Sequence, residues 1–254
     1  MTESPRLSEV PAPTDCATCQ HRATLLAVGR CIPGDICVVA HSGRQIDRFL
    51  RFNPAFAQDY LTDGFWERRA IAVRYAPWEA VSALAADPDE VVRRAVATRL
   101  SPDELIVLMR DSDREVRITV AARIAPGQLA KLMHDPDYMV RLQVAHRLPH
   151  GSLPRMAQDP DREVRKEVAR RLPPFALGRM AEDEDAEVRR IAAARMLPDD
   201  AARLLADPDW LVRLEAVRNA PPAALAALRD DSEPEVRETA LERLNGNRQH
   251  EDET

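Results

Sequence analysis

Four cysteines near the N-terminus are the residues whose type and spacing point to chemistry. Cys16-Ala17-Thr18-Cys19 is followed, further on, by Cys31-Ile32-Pro33-Gly34-Asp35-Ile36-Cys37, and the chain has no others. A CxxC pair lets one tight turn aim two sulfurs at a common centre, and Pro33-Gly34 can shape a second loop that aims two more. Four thiolates gathered between Cys16 and Cys37 satisfy tetrahedral zinc or an iron–sulfur cluster. Spacing leaves that choice open, because the second pair is wider than CxxC and the bacterial ferredoxin run is not reproduced. Incidental cysteines would scatter along the chain, so a metal centre is the favoured reading. His21 and His41 lie close enough to be alternative ligands. With four thiolates at hand they read as bystanders, or as supports for the ligands.

The elements that must carry this segment come from a repeat. Asp111-Ser112-Asp113-Arg114-Glu115-Val116-Arg117 recurs at a constant interval, opening at Asp87, Asp135, Asp159, Asp183, Asp207 and Asp231. Val92, Val116, Val140, Val164, Val188, Val212 and Val236 form one column and the arginines that follow them form the next. A period this regular identifies a solenoid. Within one copy, Val116, Val120 and Ile124 make a helical stripe, and Leu129 and Leu132 fit one short helix, α or 3₁₀. Asp111 or Asp113 can cap the longer helix, and in other copies Asp followed by Pro, as at Asp87-Pro88, suits an N-cap and the first helical position. Pro126 and its equivalents end the longer helix. A degenerate eighth copy lies near positions 62–86, where Arg69-Ala70-Ile71 imitates Arg94-Ala95-Val96, one position out of register. The organisation expected is a flexible arm (1–15), a cysteine cluster with a helical cap (16–61), an array of about eight repeats (62–244) and a loose tail (245–254).

Two arginine columns invite a binding role and have a plainer one. Arg93, Arg117, Arg141, Arg165, Arg189, Arg213 and Arg237 match the aspartates nearly one for one, which favours a ladder between neighbouring corners over a row of phosphate hooks. Arg99, Arg123, Arg147, Arg171, Arg195 and Arg243 have no regular acidic partner, and Asn219 interrupts them. Their place at a helix C-terminus suits the helix dipole. The aromatics concentrated between Phe49 and Trp78 suit packing between the cap and the first repeat better than a cofactor box.

Composition sets the outer bounds. The chain has 254 residues, 36 of them basic and 42 acidic, for a formal charge of -6. That balance argues against broad nucleic-acid binding, which needs a basic footprint. No apolar run approaches the roughly 18 residues of a membrane span. The polar start, Met1-Thr2-Glu3-Ser4, does not look like a secretory signal. A cytoplasmic location and reduced thiols are therefore expected. Neither arginine column supplies a nucleophile or an acid–base pair, so the chain does not read as an enzyme.

The 24-residue repeat, with its Asp-Pro-Asp turn, Val-Arg pair and leucines three apart, resembles the leucine-rich repeat variant proteins. Their four-cysteine segment matches Cys16, Cys19, Cys31 and Cys37, and the resemblance covers about positions 16–244. It implies an all-α, right-handed superhelical solenoid of alternating α and 3₁₀ helices without β-sheet, and a [4Fe-4S] cluster rather than zinc. The repeats are also similar to HEAT repeats in shortened form. The family brings no defined activity. The expectation is an iron–sulfur protein whose solenoid binds a protein partner and whose cluster serves electron transfer or redox sensing. The alternative is a scaffold with a purely structural metal centre, cluster or zinc.

Overall fold

The computed structural model describes residues 16–252, with side chains as far as residue 246. The expected arm at 1–15 and the last two residues lie outside the described residues. The architecture is all-α: a ten-residue α-helix followed by a short 3₁₀ segment recurs, with a four-residue α-turn opening that segment at Trp78–Val81 and Pro198–Ala201. The described residues hold one isolated β-bridge, Ile32 to Ile36, in place of any sheet. The chain forms two compact units, Met1–Ala125 and Pro126–Thr254. The division falls inside the array, so the cysteine segment and the first repeats share one unit.

In the first unit, the helices Gly43–Phe52, Trp66–Tyr75, Glu90–Arg99 and Arg114–Arg123 carry the apolar stripe. Val92, Val96, Val116, Val120 and Leu105 are fully buried, as the periodicity predicts. The second unit repeats the plan with helices Tyr138–Arg147, Arg162–Arg171, Ala186–Arg195 and Trp210–Asn219, where Val140, Val164, Val188 and Val212 are likewise sealed. At about 25 cal/mol per Å² of apolar surface, such a column contributes only when the next layer covers it.

The corners decide one choice the sequence left open and correct the placing of the prolines and of the first repeat. Where the turn has a second aspartate, that residue is the N-cap: the Asp113 carboxylate accepts from the amides of Glu115 and Val116, and Asp89, Asp161 and Asp209 act alike. The first aspartate instead accepts from the amide of the second, as Asp111 does from Asp113 at 2.9 Å, so the intervening proline precedes the cap rather than following it. The prolines placed at the helix end open the 3₁₀ segments Pro126–Leu132, Pro174–Glu182 and Pro222–Asp230, and the helix has already stopped at a residue such as Ile124. The first repeat is also in register. Arg69, one full period before Arg93, meets Asp87 through Nε and Nη2 at 2.8 Å each.

The final helix runs Pro234–Asp252, so positions 245–252, read as a loose tail, continue a helical backbone.

Both arginine columns are spent on the fold. In the first, Arg93 grips Asp111 while its Nη1 donates to the carbonyls of Asp87 and Pro88. Arg165 does the same with Asp183 and the carbonyls of Asp159 and Pro160, and the Arg165 and Asp183 side chains are both nearly sealed from water. In the second column the partners are backbone carbonyls at the end of the preceding helix. Arg99 donates to Val73 and Ala76, and Arg195 to Ala169 and Leu172. Asn219 reaches the equivalent carbonyls of Ala193 and Met196 at 2.9 and 2.8 Å. These are orphan acceptors at a helix C-terminus, satisfied from the next repeat.

Candidate metal centre

The cysteine segment is built from tight turns. Cys16–Thr18 forms a single 3₁₀ turn, closed by the Cys19 amide donating to the Cys16 carbonyl. Arg22–Leu26 is one π-helical turn, which ends where Arg30 N–H reaches the Leu25 carbonyl and Gly29 N–H the Leu26 carbonyl. That pattern needs a left-handed residue, and Gly29 has φ +69°. Gly34, at φ +80° after Pro33, makes the second reversal, between the bridged residues Ile32 and Ile36. Each glycine thus turns the chain back beside a cysteine.

Helix Gly43–Phe52 anchors both loops. The Cys37 amide donates to the Gln45 carbonyl, the Gln45 side chain donates to the Gly34 carbonyl, and Arg48 pairs with Asp35. Asn53 Nδ2 donates to the carbonyls of Arg30 and Phe49. Its side chain therefore ties the loop before Cys31 to the end of that helix.

These turns bring Cys16, Cys19, Cys31 and Cys37 to the wall of one recess, completed by apolar side chains including Ile36, Val38 and Phe49. All four cysteines are free thiols, with Cys31 buried and the others less so. Burial pushes the Cys31 thiol up, and the neighbouring Cys19, Cys16 and Cys37 push it further. Four thiolates so close repel one another, and a cationic core between them removes that cost. Among the described residues no three His, Cys, Asp or Glu side chains converge as ligands of one ion would. The four thiols line one recess, and this soft, apolar-backed donor set fits an iron–sulfur cluster.

The histidines stand apart from the donor set. His21 lines the recess, yet its Nε2 lies 2.6 Å from the Tyr60 hydroxyl. Its ring packs among Phe49, Phe56 and Tyr60. Burial holds its pKa below the usual histidine value, with Asp59 opposing, so it is neutral near pH 7. Burial also pushes Tyr60 up to about 12. His41 stacks on Phe65 with its Nε2 buried and without a hydrogen-bond partner. Sequence reasoning missed the His21–Tyr60 contact, since nothing in the spacing of two side chains 39 positions apart announces it.

Comparisons with known proteins agree with this geometry. Residues 11–59 match the family described as LRV protein FeS4 cluster, and residues 114–137, 138–161 and 162–185 match the leucine-rich repeat variant. A solved structure described as a leucine-rich repeat variant with a novel repetitive protein structural motif is 56% identical, covers 91% of this chain and 98% of its own, and superposes with a TM-score of 0.86. An engineered protein is 17% identical over 82% of this chain and 87% of its own, with a TM-score of 0.40. A designed armadillo repeat protein solved with a (KR)4 peptide is 19% identical over 81% and 86%, with a TM-score of 0.20. These last two superpositions are too loose to bear on function. No curated protein matches the chain. No helix among the described residues is long and apolar enough to cross a membrane.

Proposed function

The chain belongs to the leucine-rich repeat variant family, and from that premise we propose an iron–sulfur protein in which Cys16, Cys19, Cys31 and Cys37 hold a [4Fe-4S] cluster used for electron transfer or redox sensing. The observation that carries the reading is the set of four free thiols on the wall of one recess. Bound there, such a cluster supplies one-electron chemistry. The chain's own residues do the rest. Phe49, Ile36 and Val38 keep water from one side of the recess, and Gln45 and Arg48 fix the loop that carries Cys37. His21 is held by Tyr60 and stays out of the ligand set.

The repeat array binds a protein partner on this reading and catalyses nothing itself. Its ordered arginines are already engaged with aspartates and carbonyls, which speaks against a nucleic-acid surface. A cytoplasmic home suits the reduced thiols.

A second reading has its own support. The segment before Gly43 contains only a three-residue and a five-residue helical turn among the described residues, so a metal centre, cluster or zinc, serves to cross-link it and nothing more. Anaerobic purification with iron and acid-labile sulfide analysis separates cluster from zinc. Reversible reduction of the bound centre supports electron transfer or sensing; a centre that only falls apart on reduction sinks it and favours the staple. Capture of a partner by the loaded chain and not by Cys31→Ser tests whether the centre governs binding.

A further inference from the structure

We infer that the surface spanning Arg22 to Ile32, together with Phe52, is where a small acidic one-electron carrier protein docks. The inference rests on the electron-transfer reading above. From Cys16 to Gly34 the sequence contains no acid, although the chain has 42. Arg22 and Arg30 fall in this stretch and both are exposed. Arg22 lines the thiol recess itself. Of the nearby aspartates, Asp35 is engaged by Arg48 and Asp47 by Arg51, Arg74 and the Tyr75 hydroxyl, while the exposed Asp59 lies close enough to His21 to act on its charge.

Between and beside the two arginines lie apolar side chains that the fold leaves in water. Val28 is 66% exposed, Ile32 44% and Phe52 53%. Arg30 Nη1 donates to the Phe52 carbonyl at 3.4 Å, and Asn53 Nδ2 donates to the Arg30 carbonyl at 2.8 Å, so Phe52 and the Arg30 loop are neighbours. An apolar centre edged by exposed arginines matches a transient interface with an acidic partner, and electron-transfer encounters sit at the small end, below about 1,200 Å². At physiological salt the Debye length is about 8 Å, so a docking partner senses these arginines and not the net charge of -6. Two arginines fall short of the four to eight basic residues that anionic lipid recognition uses, which favours a protein over a membrane. In the encounter the reduced carrier loses one electron and the bound centre gains it; no bond forms or breaks and no proton moves.

The test mixes the full, cluster-loaded chain with a reduced acidic [2Fe-2S] ferredoxin and follows bleaching of the centre, with the methyl viologen radical cation as a control donor. We expect the ferredoxin rate to fall about tenfold or more from low to high salt, and likewise in an Arg22→Glu/Arg30→Glu variant of equal iron content, with viologen not slowed by the reversal. A ferredoxin rate indifferent to both changes overturns the docking surface, as does sedimentation of the chain with phosphatidylserine vesicles at physiological salt. If the reversal costs iron, the salt dependence of the unaltered chain decides alone. Failure of both donors to bleach the centre overturns the electron-transfer reading itself, and the docking surface with it.

Discussion

The cysteine segment and the repeats hold their shape by opposite means. A repeat uses one small set of bonds over and over: an Asp N-cap, an Arg–Asp fork, a side chain on the preceding helix's carbonyls and a sealed valine. Loss of one removes one layer's share of a distributed sum. The cysteine segment uses each contact once. Asn53 to Arg30, His21 to Tyr60 and Cys37 to Gln45 have no copies elsewhere among the described residues. Periodicity therefore makes the array tolerant, and uniqueness makes the segment dependent on whatever its thiols hold.

The largest effect should separate the two regions outright. Cys31→Ser is expected to abolish iron binding and disorder the segment, while far-ultraviolet circular dichroism of the array stays nearly unchanged. Amide exchange localised to positions 16–42 checks this; loss of helicity throughout would break the contrast.

Inside the array, Arg165→Ala strands the buried Asp183 carboxylate and should cost about 3–5 kcal/mol in denaturant melts. Replacing both partners with apolar residues of similar size should recover most of that loss. Acid should act on the same forks. The Arg213 hydrogen bonds hold the Asp231 carboxyl below the usual carboxylate range despite its partial burial. A depressed carboxyl stabilises the fold above its unfolded pKa, and that share is lost as pH falls through the folded value. The array's melting temperature should therefore decline on acidification, and less steeply in Asp231→Asn.

A weaker cut, Asp161→Ala, removes an N-cap and should cost about 1 kcal/mol.

Tyr60 probes the segment without touching a thiol. Burial raises its pKa to about 12, so the folded state favours the neutral phenol and loses stability as pH climbs from about 10 towards that value. Phenolate absorbance should show a tyrosine titrating late, absent in Tyr60→Phe. A normal titration would mean that the phenol is not buried in solution.

The smallest effect expected is that of Asn219→Arg. The asparagine already occupies the carbonyls its column serves, so stability should change by no more than about 0.5 kcal/mol.

What could be read from the sequence follows the same divide. Val116, Leu129 and their equivalents announced the layers because repetition averages away local ambiguity. The Arg93 column was legible as a ladder because its acids recur with it. The Arg99 column was not, since its partners are backbone carbonyls, which leave no mark in residue identity. The Asp-Pro corner misled because either aspartate can cap a helix, and only the folded turn shows which one does. At the cysteines, spacing brought out the four thiols, while the Gly29 and Gly34 reversals and the His21–Tyr60 contact depend on geometry that occurs once.

The fork between each arginine and the aspartate 18 positions later has a consequence for how such a chain changes length. Excising the unit 138–161 joins Asp137 to Arg162, which restores an aspartate before a helix and leaves every surviving fork facing a carboxylate. A cut one position shorter or longer would leave those forks intact, since both partners of each lie on one side of the join. It would instead put Arg165 out of step with the corner carbonyl six positions before it, and the joined helix out of step with its cap. Growth and shrinkage are thus quantised: the protein can be spliced by whole units, as a chain is shortened by links, and resists any cut between them.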